Sequence, residues 1–235
     1  LTSSPKYYQM KVDRMLLYFP IIERVFKEEG IPEDFKYLAI QESGLVSDAI
    51  SSADAVGFWQ FKDFTAREVG LRVDKQIDER KNIVASSRGA ATYLKRHNFL
   101  VDNWIYAMSA YQAGMGGARK YMNKSNYGDR KLEINSSTHW YVKKFIAHKI
   151  AFQDRVNDKH SQNLSLIEFE KGANKNLSRI AKEFELDVDL IKTYNKWIRT
   201  GEIPEDKTYV VLIPTQQKVK NETLSDVVAK IETKP

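Results

Sequence analysis

Along residues 7–152 the apolar positions recur every three to four residues, the period of helices that bury one face. Tyr8, Val12, Met15, Leu16 and Phe19 form a first stripe. Pro20 then opens a second segment, 21–29, which Gly30 ends. Pro32 and Asp34 start the next helix, with Phe35, Leu38, Ala39 and Glu42 on one face and Gly44 just past its end. Ile83, Ser87, Ala90, Ala91 and Leu94 give a stripe of mostly small residues suited to close helix contact. Trp104, Ala107, Met108 and Tyr111 make another, closed by Gly114, Gly116 and Gly117. A last helix is expected over 138–152, with Tyr141, Val142, Phe145, Ile146 and Ile150 inward. No strand pattern interrupts the series, so residues 1–155 read as one compact helical domain.

Beyond that point the texture changes. Residues 156–163 are polar and read as a linker. A strand-like run at 165–169, helices at 178–184 and 188–194, and a strand at 209–213 predict a small α+β unit of order βααβ over 164–214. Residues 215–235 form a polar tail with one weak apolar series, Leu224, Val227, Val228 and Ile231. The fold class is therefore mainly α, a helical domain followed by a small α+β domain.

Composition narrows the chemistry. The 235 residues contain no cysteine, which excludes a disulfide scaffold, a thiol nucleophile and Cys-based metal sites. No apolar run approaches the roughly 18 residues of a membrane span. The opening Leu-Thr-Ser-Ser-Pro is no secretory signal and no initiating Met precedes it, so the start reads as a mature or truncated end. The net charge of +6 suits a polyanionic partner, but Lys and Arg are scattered among acids, so nucleic acid is not expected. His97, His139, His148 and His160 show no metal-ligand spacing, and 114–119 breaks the dinucleotide fingerprint at its last glycine. No metal or cofactor is expected.

Glu42 stands out because it occupies a position its helix reserves for an apolar residue. It also lies in the last turn before Gly44, where the helix dipole opposes a negative charge. Burial and dipole both raise a carboxyl pKa, which gives a proton donor near neutral pH. The same placement also fits a buried ion pair with Arg14 or Arg88. Tyr111 repeats the pattern in the final turn of another inward stripe; a core tyrosine with a surface hydroxyl is its plain alternative. The segment 51–61 places Phe58, Trp59 and Phe61 around Gln60, a set suited to a sugar or to ordinary core.

Together these segments resemble lytic transglycosylases with a lysozyme-like fold. Glu42-Ser43-Gly44, Gly57-Phe58-Trp59-Gln60 and Ala110-Tyr111-Gln112-Ala113-Gly114 match three signature blocks of that family in order. Ser51 and Gln60 stand nine and eighteen residues after the acid. Ile77-Asp78-Glu79-Arg80 and Trp140-Tyr141-Val142-Lys143-Lys144-Phe145 are similar to the membrane-bound D type of murein transglycosylase. The chain departs from the family at Gln112, usually Asn, and at Phe58 and Trp59, usually Leu or Met.

The resemblance implies cleavage of the β-1,4 bond between N-acetylmuramic acid and N-acetylglucosamine, with Glu42 as general acid and then base. It implies substrate-binding roles for Ser51, Gln60, Tyr111, Gln112 and Tyr141, with Tyr111 against Glu42 or the bond being cut. A hydrolase of the goose-lysozyme kind, or a peptidoglycan-binding protein without turnover, stays open beside it. Asp78 and Glu79 read as a helix start rather than catalytic acids. The βααβ unit resembles a LysM module through 177–181, 194–197 and 209–214, which implies binding of N-acetylglucosamine-containing glycan. The family's setting is the bacterial envelope, in the periplasm and often at the outer membrane. A monomer is expected.

Overall fold

The computed structural model describes residues 2–158 and 164–216. Residues 159–163, with His160, and the tail beyond Gln216, with its apolar series, lie outside the described residues.

Six α-helices make up the larger part: α1 (Pro5–Glu29), α2 (Lys36–Ser43), α3 (Asp63–Glu68), α4 (Ile83–Val101), α5 (Trp104–Ala118) and α6 (Trp140–Phe152). The expected break at Pro20 is absent, and α1 runs through it as one helix. Proline removes one ladder hydrogen bond and crowds the preceding turn. Pro20 itself faces solvent, while Val12, Met15, Phe19, Ile22, Val25 and Phe26 are buried on both sides of it. Continuous burial of that face outweighs the local cost. Gly30 ends α1 in the left-handed conformation (φ 67°), as expected of a glycine just past a helix.

The small-residue stripe of α4 is buried throughout, and α4 packs against both α1 and α5. Helix α5 is interrupted at Gly114, whose φ of 65° and ψ of 163° are non-helical, before a final turn. On α6 the inward face runs through Tyr141, Val142, Phe145, His148 and Phe152. Ile150 points outward instead, with 64% of its surface exposed. It lies about 200° around the helix from His148, on the far side of the stripe.

The smaller unit has the expected order: β1 (Leu164–Phe169), α7 (Leu177–Glu183), α8 (Val188–Tyr194) and β2 (Val211–Gln216). The two strands pair antiparallel, Leu164 opposite Gln216 and Phe169 opposite Val211. Thr215 and Gln216 therefore belong to the sheet, not to a tail. Ile180, Ile191, Trp197, Val211 and Ile213 are fully buried within this unit. Asn195 holds its centre: its amide donates to the carbonyls of Ile191 and Leu212, and its carbonyl accepts from Trp197 Nε1 and the Leu212 amide.

The two parts are packed together. Ile77 belongs to the core of the small unit, and Leu212 to that of the helical part. The Asp78 amide donates to the Trp197 carbonyl (2.8 Å), and the Arg199 amide to the Gln76 carbonyl (2.8 Å). Asp78 is fully buried and binds both Arg80, its neighbour, and Arg199 of the small unit (2.5 Å). Glu79 takes Lys207 (2.7 Å), Arg24 takes Glu168 (2.5 Å) and Lys196 takes Asp48 (2.9 Å). Asn82 both caps α4 and donates its amide to the Val210 carbonyl (2.9 Å). Asp78 and Glu79 precede α4, as read from the sequence, but their side chains serve this junction.

Candidate active site

Glu42 sits in the last turn of α2, which Gly44 ends at φ 61°. Glu42 is half-buried. Neither expected cation pairs with it. Arg88 binds Glu28 and Glu29, while Arg14 donates to the Gly44 carbonyl (3.2 Å). The partner is Tyr141 at the start of α6, whose hydroxyl donates to Glu42 Oε1.

Burial raises the Glu42 carboxyl above its ordinary value; the Tyr141 hydrogen bond and the Lys144 charge pull it down by less. The net effect favours a protonated acid. Tyr141 is itself buried, and burial together with the Glu42 charge keeps its phenol protonated and available as a donor.

Tyr111 approaches from α5. Its hydroxyl donates to the Trp59 carbonyl (2.9 Å) rather than to Glu42. Burial first, then the Glu42 charge, raises its pKa, so the two groups lie within electrostatic reach. Gln112, one residue on, is exposed just before the break at Gly114.

The loop after α2 is held by its own backbone and by two of the predicted residues. Ser51 Oγ accepts from the amides of Ala53 (3.3 Å) and Ala55 (3.1 Å), closing a tight turn. Gln60, at a positive φ of 50°, donates its amide to the carbonyls of Ala49 (3.2 Å) and Gly57 (2.9 Å). These contacts are made within the loop, and none of them is to Glu42. Gly57 cannot be replaced here, since its φ is 87° and a Cβ would lie 2.0 Å from the Arg80 carbonyl oxygen.

All three aromatic positions around Gln60 are core, Phe61 included at 3% exposure. Phe58 and Trp59 are buried at 1% and 0% exposure, and Trp59 Nε1 donates to Ser87 Oγ (3.0 Å). They cannot stack on a sugar. Ser43, part of the first signature block but assigned no role there, donates to the Phe58 carbonyl (2.9 Å) and so ties the acid's helix to the loop. Its place in that block, directly after the acid, was its signal. Among the described residues no group of three or more His, Asp or Glu is placed to hold a metal ion.

Residues 19–134 match the family described as Transglycosylase SLT domain. The chain is 24% identical over 204 residues to membrane-bound lytic murein transglycosylase D of Escherichia coli strain K12, across 80% of this chain and 44% of the relative. It is also 24% identical over 108 residues to a putative tributyltin chloride resistance protein of an Alteromonas species, across 46% of this chain and 52% of that one. The chain thus spans about half the length of these curated relatives, or less. An inactive mutant of the lytic transglycosylase Slt from Pseudomonas aeruginosa overlays with a TM-score of 0.43 at 21% identity, over 57% of this chain and 24% of that one. The acid's helix, its loop and the Tyr111 segment all fall inside residues 19–134, the stretch that is similar to the transglycosylase SLT domain family.

Proposed function

We propose that the chain is a peptidoglycan lytic transglycosylase, a lyase that cuts the β-1,4 link from N-acetylmuramic acid to N-acetylglucosamine. Protonated Glu42 gives its proton to the glycosidic oxygen as the bond from the muramic acid C1 breaks. The resulting carboxylate then takes the proton of the same sugar's 6-hydroxyl, whose oxygen bonds to C1. The product is a 1,6-anhydromuramoyl end, and no water is consumed. One carboxyl group serves both steps, unlike the carboxylate pair of ordinary glycoside hydrolysis.

The environment of Glu42 carries this reading. A half-buried carboxyl, raised by burial and held by a single phenol, is fitted to give a proton and take one back. The SLT match over residues 19–134 and the murein transglycosylase relative supply the substrate class. On the same reading Tyr141 positions the acid, Tyr111 and Gln112 face the sugar, and Ser51 and Gln60 hold the loop that shapes the groove. The βααβ unit acts as a LysM-like glycan-binding module that keeps the enzyme on its polymer. The setting is the bacterial cell envelope; no described helix is long and apolar enough to cross a membrane.

Digestion of purified sacculi followed by mass spectrometry tests the proposal. Anhydro ends released by the wild type support it. Reducing ends would make the protein a hydrolase, and no release at all would leave a glycan-binding protein without turnover.

A further inference from the structure

One feature of α6 has no part in the chemistry above. Trp140 is 50% exposed, although tryptophan is a residue that folding usually covers. The other three tryptophans are enclosed: Trp59 and Trp197 are fully buried, and Trp104 packs against the core. Trp140 lies next to Tyr141, the residue that binds Glu42, with ring centroids 5.7 Å apart at 89°. It shares a helix face with Lys144, four residues on, whose charge acts on Glu42. This face therefore looks out beside the acid.

The ring contacts continue away from the acid. His139 lies 5.7 Å from Trp140 at an interplanar angle of 31°, and Tyr121 lies 4.4 Å from His139, edge to face. His139 is fixed because its Nδ1 accepts the Tyr141 amide (3.3 Å). Burial, with the nearby Lys120 charge, lowers its pKa and keeps the ring neutral. Tyr121 and His139 in turn line a cavity of about 350 Å³ whose rim carries Lys120, Asn123, Asn135 and Ser137. An unbroken run of aromatic rings thus leads from the acid's partner to a polar cavity rich in amides and hydroxyls. Exposed ring faces match the apolar faces of pyranose sugars, and amides match their hydroxyl and N-acetyl groups.

We infer that Trp140, with His139 and Tyr121 behind it, forms a stacking subsite for an N-acetylated sugar of the same glycan strand, away from the bond being cut. This rests on the glycan reading of the site and adds to it a residue that sets how many sugars the enzyme grips. Trp140 is a binding residue and takes no part in proton transfer.

The probe is a set of N-acetylglucosamine oligomers, from dimer to hexamer, titrated into the Glu42→Gln chain. The hexamer is expected to bind more tightly than the dimer and to change the tryptophan fluorescence. Adding Trp140→Ala should remove the hexamer's advantage, weakening it about tenfold with little effect on the dimer. Trp140→Phe should keep most of the affinity and lose the fluorescence change. Thermal melting confirms that each variant folds. A Trp140→Ala chain with undiminished hexamer affinity overturns the inference, as does an equal loss for every oligomer. The two readings fail separately: anhydro ends released normally from sacculi, with no length dependence at Trp140, would sink this inference and leave the proposed function standing. Absence of both release and oligomer binding would sink both.

Discussion

Glu42 and Asp78 are two carboxyl groups withdrawn from water whose surroundings drive them in opposite directions. Burial raises both. At Asp78 the hydrogen bonds from Arg80 and the charges of Arg80, Arg199 and Lys81 outweigh it, and its pKa falls below the ordinary value. At Glu42 the Tyr141 phenol and the Lys144 charge do not, and its pKa rises. Burial sets the scale of a perturbation, and the partners decide its sign. Asp78 is thereby an anchor between the two parts of the chain, and Glu42 an acid that can exchange a proton.

Changing either group should expose the contrast. The largest effect belongs to Glu42→Gln, expected to slow release of glycan from sacculi by about 10²- to 10⁴-fold. Its fold should not suffer. A carboxyl with a raised folded pKa contributes stability below its unfolded pKa, and that contribution is lost as pH rises through the folded value. Glutamine stays neutral, so thermal melting at pH 7 should find the variant at least as stable as the wild type. Full activity in this variant would remove Glu42 from the mechanism.

Asp78→Ala should do the reverse. Arg80, 6% exposed, would lose its buried partner, at a cost of about 3–5 kcal/mol in urea unfolding at pH 7. Because the folded pKa of Asp78 is depressed, its contribution is complete above the unfolded pKa and disappears as pH falls through the folded one. A cost below about 1 kcal/mol would show that the junction rests on other contacts.

Tyr141→Phe sharpens the account of the acid. The Tyr141 hydrogen bond favours ionised Glu42, so its removal should raise the Glu42 pKa further. The alkaline limb of kcat/KM against pH should move upward, with a fall of roughly two- to tenfold in rate. An unmoved limb would mean that another group sets it.

His97 on α4 offers a third buried titrating group for comparison. It is 6% exposed, and neither ring nitrogen has a hydrogen-bond partner among the described residues. Burial lowers its pKa from 6.5 to about 4. Stability from the neutral ring is complete above the unfolded value and is lost as pH falls towards 4, on the order of 3 kcal/mol in all. His97→Leu should flatten that part of the stability profile; an unchanged slope would assign it to other groups.

Much of this was legible in the sequence, for a physical reason. Helical period and glycine stops are local properties, so the stripes of α2, α4 and α5, the end at Gly44 and the inward turn of Glu42 followed from neighbours a few residues apart. Pro20 misled because its cost is local while the packing that offsets it is not. Phe58 and Trp59 looked suited to sugar because residue type does not say which side of a loop meets the core. The partners of Asp78 and Glu79 in the small unit, Arg199 and Lys207, lie more than a hundred residues away in the chain, and no periodicity reports them. At the site itself, the family resemblance marked Ser51 and Gln60, but only the structure gives their contacts, which are with the loop's own backbone.

The most direct test is a carbon NMR titration of the side-chain carboxyls, read at Glu42 and Asp78 in the same sample. The account predicts that Glu42 titrates above 4.5 while Asp78 remains ionised below 3.8. A Glu42 midpoint at or below 4.5 would contradict it, because the proposed proton donor would then be an ordinary surface carboxylate.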